Sequence, residues 1–263
     1  MTRSTMSAKS LWRRIAVALG TTVFWVAVWY GLALVIDETI LIPTPLLVLE
    51  TLCRSVVTLS FWKTVGMSLL RIAVGFSSAV LVGTVCGILT SRYRTVRTVL
   101  APILHVIRVA PVASFIIMTL VWIPYDGVPT FIAFLTVLPI VWLNVERGIL
   151  QTDRQLLEMA VSYRLPFSKI LTSIYLPSVK PFFLTAAVNG LGFAWKSGVA
   201  AEVICRPEWS IGKQLQDAKV YLETPEVFAW TAVVILLSLL LERLLLHVTE
   251  KGRRQGGVAD AHL

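Results

Sequence analysis

The chain has 263 residues, 56% of them hydrophobic and 15% charged, with a mean hydropathy of +0.78 and a formal net charge of +9. A soluble domain carries about 25% charged residues, and here the apolar residues gather into blocks near the roughly 20 residues that cross a bilayer; together these exclude an ordinary soluble globular domain. The basic excess does not point to nucleic acid, because Lys and Arg occupy the gaps between apolar blocks and favour alternate gaps, as the positive-inside rule requires.

Residues 1–14 form a short basic segment with Lys9, Arg13 and Arg14 ahead of a first span at 15–36, which Asp37 and Glu38 follow. That charge step predicts an inside N-terminus. No clear small-residue cleavage site follows the block, so it reads as a retained span. Residues 37–65 form an outside loop. In it the two prolines of Leu41-Ile-Pro-Thr-Pro45 stiffen an extended approach to a short interfacial helix. Span two, 66–90, carries Arg71 near its outer end together with Gly75, Gly83 and Gly87. Gly83 and Gly87 lie four apart on one helix face and permit close helix contact.

The gap 91–97 holds three arginines and no acid, and is inside. Span three, 99–121, contains Pro102, Arg108 and Pro111. Pro111 is expected to bend or open it. Arg108 lies about 13 Å along the helix from residue 99, a depth at which a charge faces a bundle interior or a wet cavity. His105, without a ligand set around it, reads as a polar packing residue. Span four, 129–148, carries Pro139 and leads into a second inside region at 149–178. Span five, 180–202, holds Gly190, Gly192, Gly198, Trp195 and Lys196, with Glu202 at its outer end. The outer loop 203–226 is mixed in sign and contains a short helix near 211–219. Span six, 227–246, is followed by a basic tail at 247–263.

Sixteen Lys and Arg fall in the inside regions and five in the outside ones, with Arg71, Arg108 and Lys196 left within spans. This distribution predicts an all-α membrane protein with six transmembrane helices and both termini cytoplasmic. Cys53, Cys86 and Cys205 have neither metal spacing nor a CxxC pair and read as small apolar residues.

The inside region is long for a connector. Residues 155–163 are good helix formers, with Leu157, Ala160 and Val161 predicting one apolar stripe. Leu165-Pro166 interrupts this helix, a second follows over 167–175, and Leu176-Pro177 is expected to end it. Two short helices with a break make a protruding knob that docks in a partner's groove, or an amphipathic hairpin lying on lipid; periodicity alone does not choose between them. Glu158 is an exposed acid on this segment, suited to pairing with a partner or to capping its own helix.

Residues 158–177 resemble the coupling motif of ATP-binding-cassette importer permeases: Glu158, Ala160, Ile174, Leu176 and Pro177 match it, Met159 replaces an Ala, and Arg164 stands where the family has Gly. Further stretches resemble the sulfonate, taurine and nitrate type within that family. They are Leu41–Pro45, Ser68-Leu-Leu-Arg-Ile-Ala-Val-Gly-Phe76, Pro102 with Ile107-Arg-Val-Ala-Pro111, Gly190-Leu-Gly-Phe-Ala-Trp195, and Ala200-Ala-Glu-Val203 with Gly212. The same outline is shared with permeases for thiamine precursors and other small heterocycles.

The resemblance implies a type I importer permease fold in a bacterial cytoplasmic (inner) membrane. It also implies a second permease subunit as a homodimer partner, two cytoplasmic ATPases that bind ATP and Mg, and an external solute-binding protein. This chain has no phosphate-binding Gly-x-x-x-x-Gly-Lys-Ser/Thr loop, so it is expected to be no enzyme and to hold no cofactor, and the region 149–178 would carry the ATPase motion into the 15–246 permease domain. Ala160 would pack against the ATPase groove. Arg164 implies a changed turn or a partner-specific contact. Arg71 and Glu202 would form an ion pair between spans two and five, a ring at an outer gate, or lipid anchors. Arg108 would offset an anionic solute's desolvation or snorkel, and Trp195 and Lys196 would line the cavity, unless Trp195 packs. A secondary transporter or channel is the alternative class. It usually needs intramembrane acids or an inverted repeat, and neither occurs in the span cores. A membrane enzyme would need a catalytic or metal-spaced cluster, and none is present.

Overall fold

The computed structural model describes residues 8–259, with side chains at 17 and over 19–247. The start of the expected N-terminal segment and the end of the tail lie outside the described residues, as do the side chains of Lys9, Arg13, Arg14, Lys251, Arg253 and Arg254. Among the described residues every regular element is helical: α1 (Ala8–Ile36), α2 (Pro45–Val56), α3 (Leu59–Arg92), α4 (Arg94–Val109), α5 (Val112–Thr119), α6 (Val128–Leu150), α7 (Arg154–Ser162), α8 (Phe167–Ile170), a π-helical stretch (Leu171–Tyr175), α9 (Leu176–Cys205), α10 (Ile211–Val220) and α11 (Thr224–Ala259). The three cysteines are free.

Five helical stretches are long and apolar enough to cross a membrane, and the α4–α5 pair makes a sixth if its two pieces form one span. The bend expected at Pro111 in the third span is a full break, with α4 and α5 bent by 104°. Ala110 and Pro111 are both extended, at ψ 137° and 134°. Pro111 cannot donate to the carbonyl four residues earlier, and its ring pushes the preceding residue out of the helical region.

The chain clusters into two compact units. The first is Met1–Phe61 with Leu215–Ala232, and the second is Trp62–Gln214 with Val233–Leu263. In the first, Thr44 caps α2 by accepting from the Leu47 amide at 3.4 Å, and Pro45 occupies the first turn, where its missing N–H costs nothing. The short helix expected here is thus present. Trp29 donates its indole N–H to the Pro43 carbonyl at 3.1 Å and stacks on Phe228, while Phe61 stacks on Trp230. Val23, Phe24 and Trp25 of α1 are each about 60% exposed within the chain, a surface suited to lipid and not to water.

In the second unit α6 is the central helix, packed along α9, with Val128, Ile132, Val137, Val141 and Val145 all at 0–1% exposure. Glycines on α3 permit the close approach of α6. A Cβ at Gly75 would lie 2.3 Å from the Thr130 carbonyl oxygen, and one at Gly83 or Gly87 would sit 2.8–3.0 Å from Val141 or Trp142. The shared face expected of Gly83 and Gly87 is therefore a packing face against α6. Ile116 of α5 joins Val128, Ile132 and Ala201 in a buried apolar cluster.

The segment after α6 departs from the expected pair of short helices. Pro177 does not end the second one. Phe167–Cys205 is one helical stretch of 39 residues, and Pro177 sits in the first turn of α9. Because Pro177 has no N–H for the Ser173 carbonyl, the helix widens instead of stopping: the Leu176 amide donates five residues back, to Leu171.

Candidate functional site

Two constellations in the second unit contain most of the residues singled out from the sequence. The first surrounds Glu202, which α9 carries in its last turn at 0% exposure. Its Oε2 accepts from Ser68 Oγ at 2.8 Å and from the Gly212 amide at 3.3 Å. Ser68 Oγ in turn accepts from the Ile211 amide at 2.9 Å. The carboxylate therefore sits at the N-terminus of α10, where free amides and the helix dipole favour negative charge. Ser210 fixes that terminus by accepting from the Lys213 amide at 3.1 Å. Gly212 makes the approach possible, since a Cβ there would fall 2.3 Å from the Val203 nitrogen.

Arg71, one turn along α3 from Ser68, faces the same carboxylate, with Nη1 3.8 Å from Glu202 Oε1. Its guanidinium donates to the Trp209 carbonyl at 3.1 Å and the Glu208 carbonyl at 2.7 Å, and lies 3.6 Å from Asp126. Lys63 caps the arrangement with its ammonium 3.8 Å from the Trp209 ring centroid. The Arg71–Glu202 pair expected from the sequence is thus brought together as part of a clamp. It joins α3 to α9, the loop 206–210 and the start of α10. The loop is strained in return, with Arg206 and Trp209 both left-handed at φ 52° and 53°.

The second constellation is the 151–177 hairpin. Asp153 caps α7 by accepting from the Gln155 amide at 2.8 Å. The helix ends in a Schellman turn: the Leu165 amide donates to Ala160 O at 2.9 Å and the Arg164 amide to Val161 O at 3.0 Å. Arg164 occupies the left-handed position at φ 51°, where glycine is preferred. The changed turn expected from that substitution is therefore not found; the tight turn is kept and the arginine accommodates it.

Ala160 is 0% exposed and Ile174 7%, so both pack within their own chain. The expected contact of Ala160 with a partner's groove is corrected accordingly, because a fully covered methyl cannot reach one. The predicted stripe is corrected as well: Leu157 is half-buried beside Ala160, but Val161 is 71% exposed. Glu158, Arg164, Leu176 and Pro177 are exposed, in the company of Tyr163 and Phe167.

Arg108 is also exposed, on α4, and so is His105, which does not pack as expected. Neither joins the clamp. Trp195 is 1% exposed and donates its indole N–H to the Val234 carbonyl at 3.1 Å. One further pair was missed in the sequence. Arg97 Nε lies 2.9 Å from Glu146 Oε1, with the acid 5% exposed. The available signal was a lone acid ending an apolar span whose preceding inside gap is all arginine. No group of three or more His, Cys, Asp or Glu side chains suited to a metal occurs among the described residues.

A profile of the family described as "Binding-protein-dependent transport system inner membrane component" matches residues 79–253, about two-thirds of the chain. The taurine transport system permease protein TauC of Escherichia coli (strain K12) is 28% identical over 237 residues, covering 88% of this chain and 86% of that protein. The bicarbonate transport system permease protein CmpB of Synechococcus elongatus is 28% identical over 184 residues, covering 70% and 66%. Among solved structures, a crystal structure of an amino acid ABC transporter with histidines superposes with a TM-score of 0.56 at 16% identity, covering 72% of this chain and 94% of that one, which establishes likeness of fold. An all-α, multi-pass architecture on this fold, and a family match across most of the apolar helices, make the chain a member of the binding-protein-dependent inner-membrane transport family: a non-catalytic permease subunit of an ABC-type importer that moves a small solute across the inner membrane.

Proposed function

We propose that this permease has six spans with both termini in the cytoplasm, works as a homodimer on two ATPase subunits, and couples to them through the 151–177 hairpin. The exposure of Glu158, Val161, Tyr163 and Phe167 around the Arg164 turn carries this reading. An apolar patch beside an acid suits a protein groove better than water. The hairpin is also continuous with α6 on one side and α9 on the other, the two helices packed along each other at the centre of the second unit. ATP-driven closure of the ATPase pair would displace the hairpin. Both helices would move with it, alternating access to a pathway between the two permease copies. The external binding protein would deliver the solute.

The solute in this reading is a small anion of the sulfonate, taurine or nitrate kind. Support comes from the names of the taurine and bicarbonate relatives, and from Arg108 and His105, exposed one turn apart on a helix that belongs to a broken span. A cation at that depth favours an anionic solute that would otherwise lose its hydration. The Arg71–Glu202 clamp would hold the outer ends of spans two and five and set the shape of the loop facing the binding protein.

Co-purification of the permease with its co-expressed ATPase, followed by solute-stimulated ATP turnover in lipid, tests this reading. Glu158→Ala and Val161→Glu are expected to lower turnover or association at least several-fold while the permease remains folded. If no ATPase associates and the wild type alone moves solute down an ion gradient, the reading fails in favour of a secondary transporter.

A further inference from the structure

A groove between α9 and α11 is used by neither the clamp nor the hairpin. It encloses about 210 Å³ and is lined by Asn189, Gly192, Phe193 and Lys196 of α9 and by Ser238 and Glu242 of α11, among others. The four α9 residues recur at three- and four-residue spacing and so share one face. The opposite face, from Gly190 through Ala194, Ser197, Gly198 and Ala201, is buried in the unit. Trp195 also borders the groove, its ring held against α11 by the bond to the Val234 carbonyl. Gly192 keeps the groove open, since a Cβ there would meet nothing within 4 Å.

Lys196 lies nine residues before the end of α9 at Cys205, about 13 Å from that helix end, and within the expected fifth span. No ion pair or hydrogen bond joins its ammonium to any described residue, and the same holds for the Glu242 carboxylate. An intramembrane ammonium on an exposed face beside an amide, a hydroxyl and a carboxylate does not fit lipid. The Trp195–Val234 contact sets the register of the two antiparallel helices. With Lys196 level with residue 233, Glu242 lies nine residues further along, about 13 Å. That offset is between backbone levels: each side chain leans toward the N-terminus of its own helix and so, in an antiparallel pair, toward the other across the groove, and no ion pair joins them.

We propose that this groove is a solute-binding site for a small zwitterion, its anionic group held by Lys196 and its ammonium by Glu242 and the neighbouring Asn189 side-chain carbonyl. This rests on the importer reading and narrows its solute, among the sulfonate, taurine and nitrate kinds, to an amino-sulfonate or amino-carboxylate, with simple anions such as nitrate excluded. Each opposite charge on the solute offsets the desolvation of one side chain, and the Gly192 gap admits the solute's short carbon chain.

The test uses the full-length permease–ATPase complex in lipid vesicles, with a Ser238→Cys thiol as reporter and a water-soluble thiol reagent; labelling at that position is read by peptide mass spectrometry. A Leu240→Cys thiol on the other side of α11 is the lipid-facing control. The Ser238→Cys thiol is expected to react at least tenfold faster than the control. Millimolar taurine or β-alanine should slow it at least threefold, ethanesulfonate less. Lys196→Met should abolish protection by taurine and ethanesulfonate alike, whereas Glu242→Gln should weaken taurine protection and leave that by ethanesulfonate unchanged. A reporter no faster than the control, or one that neither zwitterion protects, overturns the proposal, as does protection indifferent to both substitutions. The co-purified ATPase is assayed in the same vesicles: if it is present and active when protection fails, the site is refuted and the importer reading survives; if it is absent, the importer reading itself has failed.

Discussion

Replacing Arg164 with glycine should tighten the hairpin, although it removes a charge and adds no contact. Arg164 holds φ 51° while its amide and that of Leu165 close the Schellman turn. A residue with a Cβ pays about 1–2 kcal/mol for the left-handed conformation. Glycine avoids that cost but loses about 0.5–1 kcal/mol more backbone freedom on ordering. The net gain is about 0.5–1 kcal/mol, a two- to five-fold change in a local opening equilibrium at 25 °C. Hydrogen exchange of the peptide spanning 158–170, measured by mass spectrometry in detergent, reads this directly. Arg164→Gly should slow exchange by that factor, and Arg164→Ala, which keeps the Cβ and removes the charge, should leave it within about twofold of wild type. Equal protection in the two variants would assign the effect to charge, and faster exchange in Arg164→Gly would refute the strain argument altogether. If the arginine contacts the ATPase in the proposed coupling, the glycine variant should also combine a firmer hairpin with weaker association.

Gly75→Ala should lower the melting temperature of the detergent-solubilised permease by several degrees, because its methyl would lie 2.3 Å from the Thr130 carbonyl oxygen and overpacking of this kind costs about 1–3 kcal/mol. Gly66→Ala, with nothing within 4 Å of its added carbon, should be neutral or slightly stabilising in the same melt. In the clamp, Arg71→Met leaves the fully covered Glu202 carboxylate without its cation and should destabilise more than Arg71→Met combined with Glu202→Gln, with a coupling of about 1–3 kcal/mol in a double-mutant cycle. Additive losses would mean that the 3.8 Å pair contributes nothing beyond its hydrogen bonds to the loop carbonyls. Gly212→Ala should release the start of α10 from Glu202, seen as faster exchange of the 211–214 amides.

Apolar block length made the helical membrane architecture legible, and local chemistry marked the short elements. Pro45 ahead of an apolar run announced α2, and the Gly83/Gly87 spacing announced a packing face. Arg71 and Glu202 could be paired because each is a charge near one end of an apolar span, with few other partners at that level. The remainder of the clamp was hidden: the Trp209 and Glu208 carbonyls that Arg71 grips are backbone groups, and every residue has one. Ala160 was misread for a related reason. A small residue in a motif marks close packing but not with whom, and here the neighbour is its own chain.

Two prolines with similar local signals led to opposite outcomes, and the difference bears on how the hairpin could transmit force. Pro111 follows an alanine that is extended, and the helix breaks with a 104° bend. Pro177 follows a leucine that stays helical at φ −60° and ψ −47°, and the missing bond is absorbed by one π-helical turn. Sequence offers no distinction between them, since each simply lacks an N–H and crowds the preceding turn. Packing does. Ile174, three residues before Pro177, is 7% exposed, whereas Val109, two before Pro111, is 67% exposed, so extending the chain at Pro177 would uncover an apolar side chain and extending it at Pro111 uncovers nothing comparable. The consequence is mechanical. In the proposed coupling a push on the hairpin would enter α9 through an unbroken helix and so reach Lys196 and Glu202 as displacement, whereas motion along α4 would be taken up as rotation about Ala110–Pro111. In the proposed alternating access, α9 would be the lever and the α4–α5 joint the hinge. Restoring a backbone donor with Pro111→Ala would then stiffen the hinge and lower solute-stimulated ATP turnover, while Pro177→Ala, in a helix already continuous, would leave turnover near wild type.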